Sequence, residues 1–285
     1  MALFKTEKRG NSFAINGFIG LAIVVISTLA LWCSHKLQGL LSTPVHITCK
    51  SDDPLVFEQP NYLSELEFND LYKNVMQHPY TVNGLLAHRN FQGTQGFVVL
   101  LSEAGISQLD ADPNLKHVAN YFHRVRNPDA NAFVLNLLST NSRAEQADSK
   151  GYAVGLHVDD TLGIAPVVSW LTNTRMKWIS HQTNVLYVSV PVNMEGGRLR
   201  LYEHKRCLAL DKIGDGEPLC ADSSPSMTVM PVENTMVQFR GDAFHGVETY
   251  KAQGNRVSLV LEQYKIPRAY QEYLVKFKLR RHDGI

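Results

Sequence analysis

The sequence predicts a mainly β protein, a jelly roll of the double-stranded β-helix type with supporting N-terminal helices, preceded by one transmembrane helix. Three observations predict it. Nine short runs rich in Val, Leu, Phe and Tyr lie between residues 97 and 264. Gly, Pro, Asn and Asp break them up, which favours two facing sheets over alternating βαβ units. One uncharged apolar stretch stands near the N-terminus.

Residues 1–12 carry Lys5, Lys8 and Arg9 and are expected to be cytoplasmic. Residues 13–33, FAINGFIGLAIVVISTLALWC, contain no charge and have the length that a helix needs to cross a bilayer. The stretch is longer than a signal-peptide core, and no small-x-small cleavage site follows it, so a retained anchor is expected. Lys36 is the one basic residue after the span before Lys50, so the positive-inside rule puts the rest of the chain on the lumenal or extracytoplasmic side. Residues 34–60, with Pro44, Pro54 and Pro60, read as a stalk. Residues 61–130 read as a helical and β support region, with helical spacing at Leu63, Leu66, Leu71 and Val75 and a second helix over 113–125. Residues 131–268 hold the remaining strands, and 269–285, AYQEYLVKFKLRR onward, read as a C-terminal helix.

The chain has 285 residues, and the roughly 240 that follow the apolar span suit a single core. Its 28 basic and 27 acidic residues, with no basic run of five, exclude the footprint of a nucleic-acid binder. Cys33, Cys49, Cys207 and Cys220 have neither zinc-ribbon spacing nor the density of a disulfide scaffold. Cys207 and Cys220 are either paired in an oxidising compartment or free thiols.

The most informative stretch is GLHVDD, residues 155–160. Side chains two apart on a strand share a face, so His157 and Asp159 can offer an imidazole nitrogen and a carboxylate oxygen to one point. His245, in FRGDAFHGVETY, opens a later strand and would complete a facial triad of two histidines and one carboxylate, which leaves metal positions open. H-x-D alone also fits a surface turn. Asp160 falls on the opposite face and reads as a turn or capping residue. Eleven residues after His245 comes Arg256, whose planar fork matches a carboxylate, with Ser258 on the same strand face. The alternation around them leaves open whether that face points inward or to solvent. Tyr187 and Ser189 share a face of the run 184–192. The loop 161–183 carries Trp170, Arg175 and Trp178, aromatic and basic groups that suit either a substrate-covering loop or a hydrophobic plug.

From about residue 133 to 265 the chain resembles the catalytic jelly roll of the Fe(II)/2-oxoglutarate dioxygenases, nearest the prolyl 4-hydroxylase-like branch. GLHVDD resembles that family's first ligand strand, and NVLYVSVPVNMEGGRLRLYE its next two strands with their Gly-Gly hairpin. MVQFRGDAFHGVETYKAQGNRVSLVLEQY resembles the strands that bring the distal histidine and the basic residue. The resemblance implies Fe(II) on His157, Asp159 and His245. It also implies 2-oxoglutarate as cosubstrate, with its far carboxylate at Arg256 and with Ser258 and Tyr187 as further contacts, and ascorbate as a reductant. The implied reaction is hydroxylation of a C–H bond in a peptidyl or small-molecule substrate, with release of succinate and CO2. The chain departs from the family pattern in a hydrophilic insertion around 203–226. It also lacks the tyrosine that prolyl hydroxylases carry just ahead of the first histidine, since Tyr152 stands five residues before His157, so proline is not implied as the substrate. The rival reading is a catalytically inactive, membrane-tethered jelly-roll binding module.

Overall fold

A computed structural model describes residues 45–78, 94–140, 151–164, 176–203 and 224–280. Residues 43–285 form one compact unit. The expected membrane span at 13–33 lies outside the described residues, among which no helix is long and apolar enough to cross a membrane.

The elements run β1 (Val45–His46), β2 (Val56–Gln59), α1 (Glu65–Gln77), β3 (Thr94–Ser102), α2 (Ile106–Ala111), α3 (Lys116–Val125), β4 (Ala132–Thr140) and β5 (Tyr152–His157). Next come β6 (Gly163–Ile164), β7 (Met176–Trp178), β8 (Gln182–Ser189), β9 (Glu195–Gly196), β10 (Leu199–Tyr202) and β11 (Met227–Val229). The chain continues through β12 (Met236–Arg240), β13 (Phe244–Glu248), β14 (Tyr250–Lys251), β15 (Arg256–Tyr264) and β16 (Phe277–Arg280).

The larger sheet has the order β16-β3-β4-β15-β8-β12-β2 and the smaller one β11-β10-β13-β5. The chain therefore passes from β4 in the large sheet to β5 in the small one, back to β8, across to β10 and β11, back to β12, across to β13 and back to β15. That alternation is the connectivity of a jelly roll, and it follows from strands with two apolar faces that have to be covered on both sides.

On the outer side of the large sheet, Phe133, Leu135, Leu137, Leu186, Val257, Leu259 and Leu261 meet Leu71 and Val75 of α1 and Val118 and Phe122 of α3. Phe122 and Phe133 pack edge to face with centroids 5.0 Å apart. Each such side chain, removed from water, contributes about 1.5–3 kcal/mol. On the inner side Val185, Tyr187, Val237 and Phe239 face Val154, Leu199, Leu201 and Val247 of the small sheet. Ser64 starts α1 with a capping box, its hydroxyl accepting from the Glu67 amide while the Glu67 carboxylate accepts from the Ser64 amide. Where β9 ends and the chain turns toward β10, Gly196 and Gly197 take φ values of 86° and 70°, the left-handed conformation that this tight turn requires.

Two expectations change. Residues 34–60 are not all stalk, because β2 pairs antiparallel with β12 and β1 parallel with β7. β2 supplies hydrogen-bond partners to a strand edge that β12 would otherwise expose. The expected C-terminal helix is instead a 3-10 turn at Arg268–Tyr273 followed by β16, which pairs with β3 from Phe277↔Leu101 to Arg280↔Val98. Phe277 and Leu279 alternate inward and pack against the helix-covered core, so the strand period wins at this edge.

Candidate metal centre

β5 and β13 are antiparallel neighbours, and their register sets His157 directly opposite His245. The two rings lie 4.3 Å apart. Each histidine commits one nitrogen to its own chain. His157 Nδ1 donates to the Gly155 carbonyl at 2.7 Å, and His245 Nδ1 donates to the Ala243 carbonyl at 3.1 Å. A carbonyl can only accept, so both Nδ1 atoms carry hydrogen and each neutral ring keeps its Nε2 lone pair for a ligand.

Both Nε2 atoms converge on one oxygen. Asp159 Oδ1 is 3.6 Å from His157 Nε2 and 3.5 Å from His245 Nε2, and the three donor atoms all lie within 4.8 Å of one another. Ligands about 2.1 Å from an octahedral ion sit about 3 Å apart, so this spacing closes around a metal with small side-chain shifts. Asp159 Oδ2 accepts from the Thr183 hydroxyl at 2.6 Å, and Thr183 in turn meets the Ser180 hydroxyl at 3.1 Å. The Ser180 amide donates to the Asp159 carbonyl at 2.9 Å. Burial works against ionisation of Asp159, yet the His245 and His157 imidazoles and the Thr183 hydroxyl hold its carboxyl at about 2. Burial likewise works against a charge on His245, and the Asp159 carboxylate outweighs it and raises that pKa. With a metal in place of the proton on Nε2, the donor set of two imidazoles and one ionised carboxylate with open sides is that of a non-haem iron site.

The direction of β15, open in the sequence, is fixed by its neighbours. Val257, Leu259 and Leu261 lie under the helices, so Arg256, Ser258, Val260, Glu262 and Tyr264 face the small sheet. Arg256 is buried, with its guanidinium carbon 5.0 Å from the centre of the Tyr187 ring. Ser258 stands opposite Tyr187 across the β15–β8 ladder. Arg256 Nε and the Tyr187 hydroxyl are both buried without a hydrogen-bond partner among the described residues. Orphaned donors side by side inside a protein are costly, and an anionic ligand would satisfy them. The backbone here is tied down by Tyr250, whose hydroxyl accepts from the Arg256 amide and donates to the Thr140 carbonyl.

The substrate-loop residues fare differently. Trp170 and Arg175 lie outside the described residues. Trp178 is buried in a cluster with Leu162, Tyr264 and Ile266 and stacks on His46 at 4.1 Å, so its indole is core rather than a surface for substrate. Burying so large an apolar ring between β1 and β15 outweighs leaving it at a mouth. Thr183, Ser180, Tyr250, Glu262 and Tyr264 were missed in the sequence. Their roles come from cross-strand register, and only the polar positions at 183, 262 and 264 within apolar runs could have signalled them.

No protein-family model and no curated protein matches the chain. Among solved structures it is similar to a prolyl-4-hydroxylase from Pseudomonas putida, at 16% identity and TM-score 0.41 over 75% of this chain and 95% of that one. It is similar to an oxidoreductase of the 2OG-Fe(II) oxygenase family from Burkholderia pseudomallei, at 12% identity and TM-score 0.39 over 78% and 96%. It is also similar to dioxygenase for auxin oxidation 1 from Arabidopsis thaliana, at 11% identity and TM-score 0.43 over 83% and 94%. What this chain does rests on its own side chains.

Proposed function

We propose that this chain is a membrane-anchored Fe(II)- and 2-oxoglutarate-dependent dioxygenase that hydroxylates a C–H bond of a peptidyl or small-molecule substrate and releases succinate and CO2. The observation that carries this reading is a pairing of two sites on the inner faces of the two sheets. Three donor atoms converge at His157, Asp159 and His245 by the small sheet, and two orphaned donors, Arg256 Nε and the Tyr187 hydroxyl, stand on the inner face of the large sheet. A metal alone would explain the first and a simple anion the second; a keto acid with a distant second carboxylate explains both.

Bound Fe(II) would supply dioxygen activation coupled to decarboxylation of the keto acid. The chain's own residues do the positioning. His157, Asp159 and His245 would hold the ion on one side and leave the opposite positions free. Thr183 keeps the outer oxygen of Asp159 occupied, so that Oδ1 is the one presented to the metal. Thr183 and Tyr187 are four residues apart on β8, about 13 Å along the strand, a gap shared between the ligand and the long Arg256 side chain. Arg256 would meet the far carboxylate with its fork, and Tyr187, whose phenol burial keeps neutral, would add one hydroxyl donor. Val185, Val237, Phe239 and Leu201 line the space between the sheets and exclude water from it. Ascorbate would serve as external reductant.

The test is anaerobic addition of Fe(II) and 2-oxoglutarate to the purified chain, followed by air. A charge-transfer absorption band that needs both additions, and succinate formation after air, are the expected results. No band at saturating concentrations of both would sink the reading.

A further inference from the structure

The inner face of β15 carries a second carboxyl group that the metal site does not use. Glu262 is 2% exposed and pairs in register with Thr183, the residue whose hydroxyl holds Asp159. One of its oxygens, Oε1, accepts from the Asn136 amide of β4 at 2.8 Å and from the Thr161 hydroxyl at 3.2 Å. The other, Oε2, lies 2.5 Å from the Tyr264 hydroxyl, which is itself 3.5 Å from the Asp159 carbonyl. Thr161 and Asp159 bracket the turn by which the chain leaves the metal site. Two separate links therefore run from one carboxyl to the two ends of that turn.

Those hydrogen-bond partners are all neutral. Burial, and then the charge of nearby Asp159, push the Glu262 carboxyl well above the usual range, which favours its neutral form. Either protonation form leaves the group's hydrogen bonds satisfied. With the carboxyl ionised, Tyr264 donates to Oε2; with it protonated, the carboxylic O–H donates to the Tyr264 oxygen and frees the Tyr264 hydrogen for the Asp159 carbonyl, and in both forms Oε1 accepts from Asn136 and Thr161.

We propose that Glu262 is a positioning residue for the metal centre: through Thr161 and Tyr264 it fixes the 159–161 turn against β15 and so sets the direction of the Asp159 carboxylate. The inference rests on the metal reading above and adds to it a residue that touches neither the ion nor the cosubstrate. A buried polar group that served only the packing of β4 on β15 would affect stability alone. A group that aims a ligand also changes the metal's surroundings, and loss of such outer contacts weakens metal binding by about 10- to 100-fold.

The probe is Co(II), whose visible spectrum reports ligand geometry, titrated into the full chain in detergent. The parent should bind one Co(II). Tyr264→Phe, which removes a single oxygen, and Glu262→Ala should each bind it at least about tenfold more weakly and with shifted visible bands. Glu262→Gln keeps an acceptor for Asn136 and Thr161 and offers an amide hydrogen to Tyr264, so it should restore the parent's spectrum. Should Glu262→Ala fail to fold, Tyr264→Phe carries the comparison. The proposal is overturned if Tyr264→Phe lowers the melting temperature yet keeps the parent's affinity and spectrum, or if Glu262→Gln falls as far as Glu262→Ala. A parent that binds no Co(II), and behaves in this like His157→Ala, overturns the metal reading itself and the inference with it.

Discussion

His157 and His245 each donate from Nδ1 to a carbonyl two residues earlier on its own chain. The ring directions are thus properties of β5 and β13, and removing one ring should leave the other in place. His157→Ala or His245→Ala should abolish stoichiometric Fe(II) binding while the melting curve stays cooperative; iron content equal to the parent's in both would show that the metal lies elsewhere. Arg256 has a separable role. A charge-assisted pair in a desolvated pocket loses about 2–5 kcal/mol when one partner is removed, so Arg256→Ala should raise the KM for 2-oxoglutarate by about thirtyfold or more. Arg256→Lys should be intermediate, since an ammonium keeps the charge and loses the fork. Titrating the charge-transfer band anaerobically measures this directly, and an Arg256→Ala curve that overlays the parent's would mean that another group holds the carboxylate. His157 and Asp159 were legible in the sequence because side chains two apart on an extended chain share a face, and His245 because it opens a later strand, although β5 itself ends at His157. The direction of Arg256 was not, because β15 is buried on both faces and alternation loses its contrast there.

At the scale of elements, the metal site is assembled where β5 ends, β8 begins and β12 turns into β13. Gly241 sits at that turn, and a Cβ built on it would lie 1.7 Å from the Ser180 carbonyl oxygen. Ser180 is the residue whose amide and hydroxyl hold Asp159 and Thr183 in place. Gly241→Ala must therefore push the 180–183 segment away from β12, at a cost of about 1–3 kcal/mol as an overpacked site. The expected outcome is a lower melting temperature together with weaker metal binding. Loss of stability with unchanged metal affinity would show that the two segments are not mechanically linked. The strands themselves were legible from their apolar runs, and so were α1 and α3 from helical spacing. The edges were not. β2 and β16 are short, half-exposed strands whose residues have no strong local preference, and they form because β12 and β3 would otherwise present unpaired backbone. A final segment with helix-like composition can therefore end as a strand, since tertiary pairing outweighs a propensity of a few tenths of a kcal/mol per residue.

For the whole molecule, the reach of the proposed chemistry depends on where the expected anchor would place residues 43–285. Lys5, Lys8 and Arg9 stand before the apolar span against Lys36 alone in the next sixteen positions, and short flanking segments of this kind govern orientation. A 21-residue uncharged stretch supplies enough apolar surface for a helix about 30 Å long, which matches the hydrocarbon thickness. The expected arrangement is an N-terminus in the cytoplasm and the jelly roll on the far side. A compact β unit can resist protease wherever it lies, so digestion of the folded domain is a poor measure of sidedness. Small epitope tags at the two ends avoid that difficulty. In sealed vesicles with the cytoplasmic face outward, added protease should remove an N-terminal tag at once and leave a C-terminal tag intact until detergent is added. Replacing Lys5, Lys8 and Arg9 with glutamine should weaken this preference and yield a mixed population, because the charge difference across the span is then reversed in sign. A C-terminal tag that is lost before detergent in the parent chain would show that the orientation is inverted or that the segment does not span.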